Sequence, residues 1–101
     1  MVCDLTITDG VALIKVEGII TVDNASVFQQ KLDEVKNSEV MKLEIDFSKC
    51  QTISSVGIGK LLMFHKDFHP KNRKIEIVKC SLPIYELFMT IKLNQLIAIN
   101  L

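Results

Sequence analysis

The dipeptide Asp9-Gly10, set between two alternating runs, constrains this chain more than any other feature. Asp-Gly tolerates the positive φ angles that a two-residue hairpin turn requires. Before it, Cys3, Leu5 and Ile7 alternate with Asp4, Thr6 and Thr8. If Thr8 opposes Val11, then Ile7 pairs with Ala12, Leu5 with Ile14 and Cys3 with Val16. All three apolar pairs fall on one face, and Asp4 lands opposite Lys15 on the other. A one-residue slip scatters that set, so a hairpin in this register is predicted.

The remaining segments follow in a regular order. Gly18 to Val22 leads to Asp23-Asn24, either of which can cap a helix. Phe28, Leu32 and Val35 then recur at helical spacing, and Asn37-Ser38 closes that helix. Met41, Leu43, Ile45 and Phe47 alternate with Lys42, Glu44 and Asp46, the pattern of a strand covered on one face. Asn72 to Lys79 repeats it, with Ile75 and Ile77 inward. Fully sandwiched parallel strands read as continuous apolar runs instead, so the helices are expected mostly on one side of the sheet. A second helix is predicted from Ser55 to Phe68, ended by His69-Pro70. Its wheel puts Gly57, Ile58, Leu61, Leu62, Phe64, His65 and Phe68 inside, and Val56, Gly59, Lys60, Met63, Lys66 and Asp67 outside. Ser81-Leu82-Pro83 opens a third helix, with Ile84, Leu87, Phe88 and Ile91 as its inner stripe. Leu96 to Ile99 reads as a closing strand.

The expected fold is therefore α/β, a single domain over residues 1–101: an N-terminal hairpin followed by strand–helix–strand units on a mixed sheet. Strands joined through a helix are normally parallel with right-handed crossovers. The loops after Val16, Phe47 and Val78 then emerge at one end. Asp23-Asn24, Ser54-Ser55 and Ser81 share that edge, where α/β sheets usually carry function.

Composition narrows the function. Twelve Lys and Arg balance twelve Asp and Glu, so the basic footprint of a nucleic-acid binder is absent. No apolar run approaches the roughly 18 residues of a membrane span, and Met-Val-Cys-Asp is no secretory signal. A soluble, cytoplasmic domain without membrane insertion is predicted. Cys3, Cys50 and Cys80 fit neither a disulfide framework nor a CxxC metal site and are expected reduced and buried. His65 and His69 stand at a spacing that can bind metal. No acidic or thiol neighbour accompanies them locally, and His65 falls on the apolar side, so neither a metal nor a cofactor is expected.

The stretch from Gln51 to Leu62 passes from extended chain into helix, with two serines at the turn and two glycines beyond it. Each glycine costs a helix interior about 1 kcal/mol relative to Ala. Close approach to a neighbouring strand or a partner would justify that cost. A serine caps the helix in this reading, its oxygen accepting from a first-turn N–H. Catalysis finds no support: there is no P-loop, GxGxxG, motif of paired carboxylates or nucleophile elbow. A nucleophilic serine needs a positioned base, and His65 lies about three turns away on the core side. A binding module, not an enzyme, is expected. The wheel leaves Val56 and Met63 outside the core, and the topology brings the Asp23 loop to the same edge.

At this point the chain resembles the STAS domains, the fold of the bacterial anti-sigma factor antagonists. Asp46-Phe47-Ser48 is similar to the family's Asp-Leu-Ser at the end of the third strand. Ile53-Ser54-Ser55-Val56-Gly57-Ile58-Gly59-Lys60-Leu61-Leu62 resembles its Asp-Ser-x-Gly-Leu-Gly-x-Leu-Leu signature. Leu87 to Asn100 is like its C-terminal helix and strand. Ser54 stands where antagonists often have Asp, and Lys92 where the C-terminal motif often has Gly. The resemblance implies a partner that is both an anti-sigma factor and a serine kinase, whose capture frees a sigma factor. It also implies phosphorylation at Ser55, which ends binding, and a PP2C-type phosphatase, which restores it. The helical wheel and the shared edge give the expected contact surface: Asp23, Asn24, Ser54, Ser55, Val56, Gly57, Lys60 and Met63. Some members instead act without phosphorylation, as scaffolds of stressosome-like complexes or as small partners of transporter ATPases.

Overall fold

A computed structural model describes all 101 residues. The hairpin forms as its pattern requires: β1 (Val2–Thr8) and β2 (Val11–Ile20) pair antiparallel, with Cys3 opposite Val16, Leu5 opposite Ile14 and Ile7 opposite Ala12. Asp9 and Gly10 both adopt positive φ, 50° and 78°. After β2 come α1 (Ala25–Lys36), β3 (Lys42–Ile53), α2 (Ser55–Phe68), β4 (Lys74–Cys80), α3 (Leu82–Thr90) and a two-residue β5 (Ala98–Ile99). The strands lie in sequence order, and every pair after the first is parallel. Because the sheet advances in one direction, right-handed crossovers place every helix on the same face.

Registry stacks the inward residues across that face. Ala12 lies beside Leu43 and Ile14 beside Ile45, which lies beside Ile77. All five are fully buried, in one cluster with Phe47 of β3 and with Phe28, Leu61, Phe68, Ile84 and Phe88 from the helices. The Phe47 ring stands 6.0 Å from Phe28 and 5.8 Å from Phe88, joining α1 and α3 through the central strand.

Departures from the sequence pattern have local causes. Ile7 and Met41 are exposed, not inward. Ile7 sits beside the turn on an edge strand, and Met41 precedes β3, where its backbone bonds Gly10 and Lys74. β4 starts at Lys74 because Asn72 takes φ 59° and turns Arg73 inward. Arg73, only 7% exposed, donates to the carbonyls of Val35, Lys36, Ser38 and Val40 at 2.8–3.1 Å. Its guanidinium also lies 4.0 Å from the Phe68 ring centre. It thereby satisfies carbonyls that the end of α1 leaves without intrahelical partners.

The third helix ends early. Lys92 adopts φ 61°, so Ile91 turns outward and a 3-10 turn over Leu93–Gln95 follows. Leu93 and Ile97 fill the core beyond α3, where Ile91 was expected to point inward. Leu96 is exposed and precedes β5, whose strand is shorter than the alternation suggests. Leu62 is also exposed, since α3 stops short of covering that flank of α2.

Candidate functional site

The site is built where β2 and β3 end and α2 begins. Ser54 N donates to the Ile20 carbonyl at 2.8 Å, tying the turn to the neighbouring strand. Its side-chain oxygen accepts from Gly57 N at 3.1 Å, so Ser54 is the helix cap. Gly57 is buried here, and a Cβ on it would stand 2.7 Å from Ile53 Cγ1 and 2.8 Å from Ile20 Cγ2. Close approach to two strands is the reason for this glycine. It therefore packs the turn and lies beneath the surface to which it was assigned. Gly59 differs: nothing lies within 4 Å of the place its Cβ would occupy.

With Ser54 occupied by capping, Ser55 is the first residue of α2 and is exposed. The first amides of a helix lack intrahelical acceptors, and the dipole there favours negative charge. A phosphate at Ser55 would meet both conditions.

The neighbouring loop is organised differently from its expected cap. Thr21 Oγ1 accepts from Asn24 N at 3.2 Å, while Asn24 Oδ1 accepts from Thr21 N at 2.7 Å. This is a reciprocal capping box begun at Thr21, so neither Asp23 nor Asn24 caps α1 by its side chain. Asn24 Nδ2 also donates to the Ile19 carbonyl at 2.9 Å, pinning the loop to the strand end. Asp23 and Val22 are left exposed, Val22 by 65%. A third loop joins the edge through Ser81, whose hydroxyl donates to the Cys50 carbonyl at 2.6 Å.

The predicted residues thus separate into groups. Asp23, Asn24, Ser54, Ser55 and Val56 lie at the carboxyl edge of the parallel strands. Lys60 and Met63 lie farther down α2 and line a cleft against α1 with Asp33, Lys36 and Asp67. Met63 is 58% exposed, on the outer side where the wheel puts it. On the opposite flank of α2, Ser55, Gly59 and Leu62 line a second depression with Ile91, Lys92 and Leu96. The sequence reading missed Val22 and Leu82, exposed apolar residues at the same edge. Their signal was present: each adjoins a turn or cap residue and falls outside any buried stripe.

Charge at the edge is modest. Partial burial pushes the Asp46 carboxyl up, but hydrogen bonds from Ser48 and the nearby Lys79 and Lys15 outweigh it and hold the group below its ordinary range. Burial pushes Cys3 up to about 11 and raises Cys50 and Cys80, keeping all three as thiols at neutral pH. His65 lies ten residues from Ser55 along α2, roughly 15 Å at the helical rise. His65 is not in the core either; it is half-buried and stacks on His69. No helix is long and apolar enough to cross a membrane.

Solved structures with this fold include an anti-sigma factor antagonist from Mycobacterium paratuberculosis, 20% identical, with a TM-score of 0.88 over 97% of this chain and 83% of that one. The unphosphorylated anti-sigma factor antagonist SpoIIAA matches at 0.83 and 14% identity, over 99% of this chain and 89% of that one. The Bacillus protein SpoIIAA in its phosphorylated form matches at 0.77. The STAS domain of a SulP transporter from Vibrio cholerae matches at 0.64 and 17% identity, over 92% and 76% of the two chains. No curated protein sequence matches significantly. The family model described as "Mlab, STAS domain" matches residues 3–98, nearly the whole length, and the chain belongs to the STAS-domain family.

Proposed function

We propose that this STAS domain is an anti-sigma factor antagonist that captures an anti-sigma factor serine kinase, releases a sigma factor, and is switched off by phosphorylation of Ser55. A PP2C-type phosphatase resets it. The observation that carries this reading is the division of labour between the two serines: Ser54 is consumed as the helix cap, and Ser55 is exposed at the helix start. Phosphate adds about −1.5 to −2 charges and three acceptor oxygens. The helix start accommodates them, so the domain keeps its fold. An interface closed over Ser55 does not, because a desolvated dianion without a counter-charge costs several kcal/mol. That relatives of this fold have been solved as anti-sigma factor antagonists, one in both phosphorylation states, supports the reading.

The test is to incubate the chain with its cognate kinase and ATP and map the phosphate by mass spectrometry. Phosphate is expected on Ser55 and absent from Ser55→Ala. Phosphorylation of Ser54 at the wild-type rate in that variant overturns the assignment.

A second reading, a STAS subunit or scaffold without a phosphoryl switch, is favoured by Ser54 itself. It supplies no carboxylate beside the acceptor for a kinase to recognise. The likeness to a transporter STAS domain is in keeping with it. Under this reading the same incubation leaves the chain unmodified.

A further inference from the structure

At the far end of α2 the fold brings two imidazoles together. The helical register continues through His69, whose amide bonds the His65 carbonyl, so the two side chains project from successive turns. Their ring centres are 5.0 Å apart with planes 15° from parallel. We propose that His65 and His69 form a two-histidine chelate for a late-transition divalent cation such as Zn²⁺.

The separation of the two rings suits a shared ion. A metal held by an imidazole nitrogen at about 2.1 Å stands roughly 3.2 Å from the ring centre. Two imidazoles on one ion then have centres roughly 4.5–5.2 Å apart, for bond angles from square to tetrahedral. The observed spacing falls inside that interval. The planes must rotate to meet at the ion; histidine χ2 is a broad torsion, and His69 is exposed. His65 has less freedom: it is half-buried and lines the same depression as Leu96.

The surroundings set the coordination number. Lys42, Lys74 and Glu76 line the same depression. Both Glu76 oxygens are engaged, one by Lys42 at 3.0 Å and one by Asn100 at 2.8 Å. Lys42 is also paired with Glu44 at 3.3 Å. No group of three or more ligating side chains occurs in the chain. The protein therefore supplies two nitrogens, and water completes the sphere. The three thiols are buried and do not compete.

The experiment is a calorimetric titration of the full chain with zinc chloride at pH 7.5 in a non-chelating buffer. Wild type is expected to bind one equivalent, and His65→Ala and His69→Ala are each expected to bind at least tenfold more weakly. Lys66→Ala, on the same helix, should leave binding unchanged. Proton NMR should show both imidazole Cε1–H signals responding with one midpoint. Two independent midpoints, absence of saturable binding in wild type, or wild-type affinity in His69→Ala overturns the proposal. If His65→Ala fails to fold, the exposed His69→Ala variant decides.

Discussion

Lys92 is the residue whose backbone and side chain disagree most plainly. Its φ of 61° is a left-handed conformation, which costs an L-residue roughly 1–2 kcal/mol and a glycine little. The C-terminal motif that this chain resembles often has glycine here, and the left-handed backbone supplies a reason. Lys92→Gly should therefore stabilise the domain by about 1 kcal/mol after the extra entropy of the unfolded glycine is counted. In a domain of this size that raises Tm by about 4–8 °C in a thermal melt; an unchanged or lower Tm contradicts the assignment of strain. The two signature glycines make a matched pair for the same assay. Gly57→Ala places a methyl against Ile20 and Ile53 and should cost about 1–2 kcal/mol, overpacking outweighing the gain in helix propensity. Gly59→Ala meets nothing and should stabilise α2 by up to about 1 kcal/mol. Equal effects at both positions would mean that packing is not what distinguishes them.

Among the elements, α2 connects fold and function, because its inner side makes core and its outer side remains available. Leu61 is fully buried, whereas Met63, two residues on, is exposed over the cleft with α1. If the proposed kinase partner docks on this face, Met63→Asp should weaken its binding strongly, since burying such a side chain contributes roughly 1.5–3 kcal/mol. Its Tm should move little, surface changes typically lying within about 0.5 kcal/mol. Leu61→Asp should unfold the domain. If both variants melt alike, the outer face is structural; if Met63→Asp binds normally, the partner uses another surface. The limits of the sequence also appear at this scale. Periodicity identified the inner stripe of α2 but not where its cover stops, so Leu62 looked internal and is not. Ile91 is exposed for a related reason: the left-handed break at Lys92 resets the helical phase, and Leu93 and Ile97 take the buried places. Nothing local to Arg73 announces that it reaches the end of α1, about 35 residues earlier in the chain. Thr21 and Asn24 carry a capping-box spacing, but Asp23 and Asn24 stand nearer the apolar stripe and mask it as cap candidates.

For the whole molecule, alternation was enough. The Asp9-Gly10 register, one-sided strands and helices between parallel strands leave a single layered arrangement, and the structure has it. The consequence for function is geometric: the loops after β2, β3 and β4 open at one edge, and the helix start at Ser55 stands among them. A modification there acts on a surface without entering the core. Phosphate at Ser55, under the proposed switch, is expected to abolish association while the fold persists. The direct measurement is the affinity of the chain carrying phosphoserine at position 55 for the anti-sigma factor kinase, with its Tm recorded on the same sample. The expected result is at least a hundredfold loss of affinity, with Tm within a few degrees of the unmodified chain, in line with an anion well placed at a helix start. Undiminished binding, or a phosphorylated chain that has lost its fold, would contradict it.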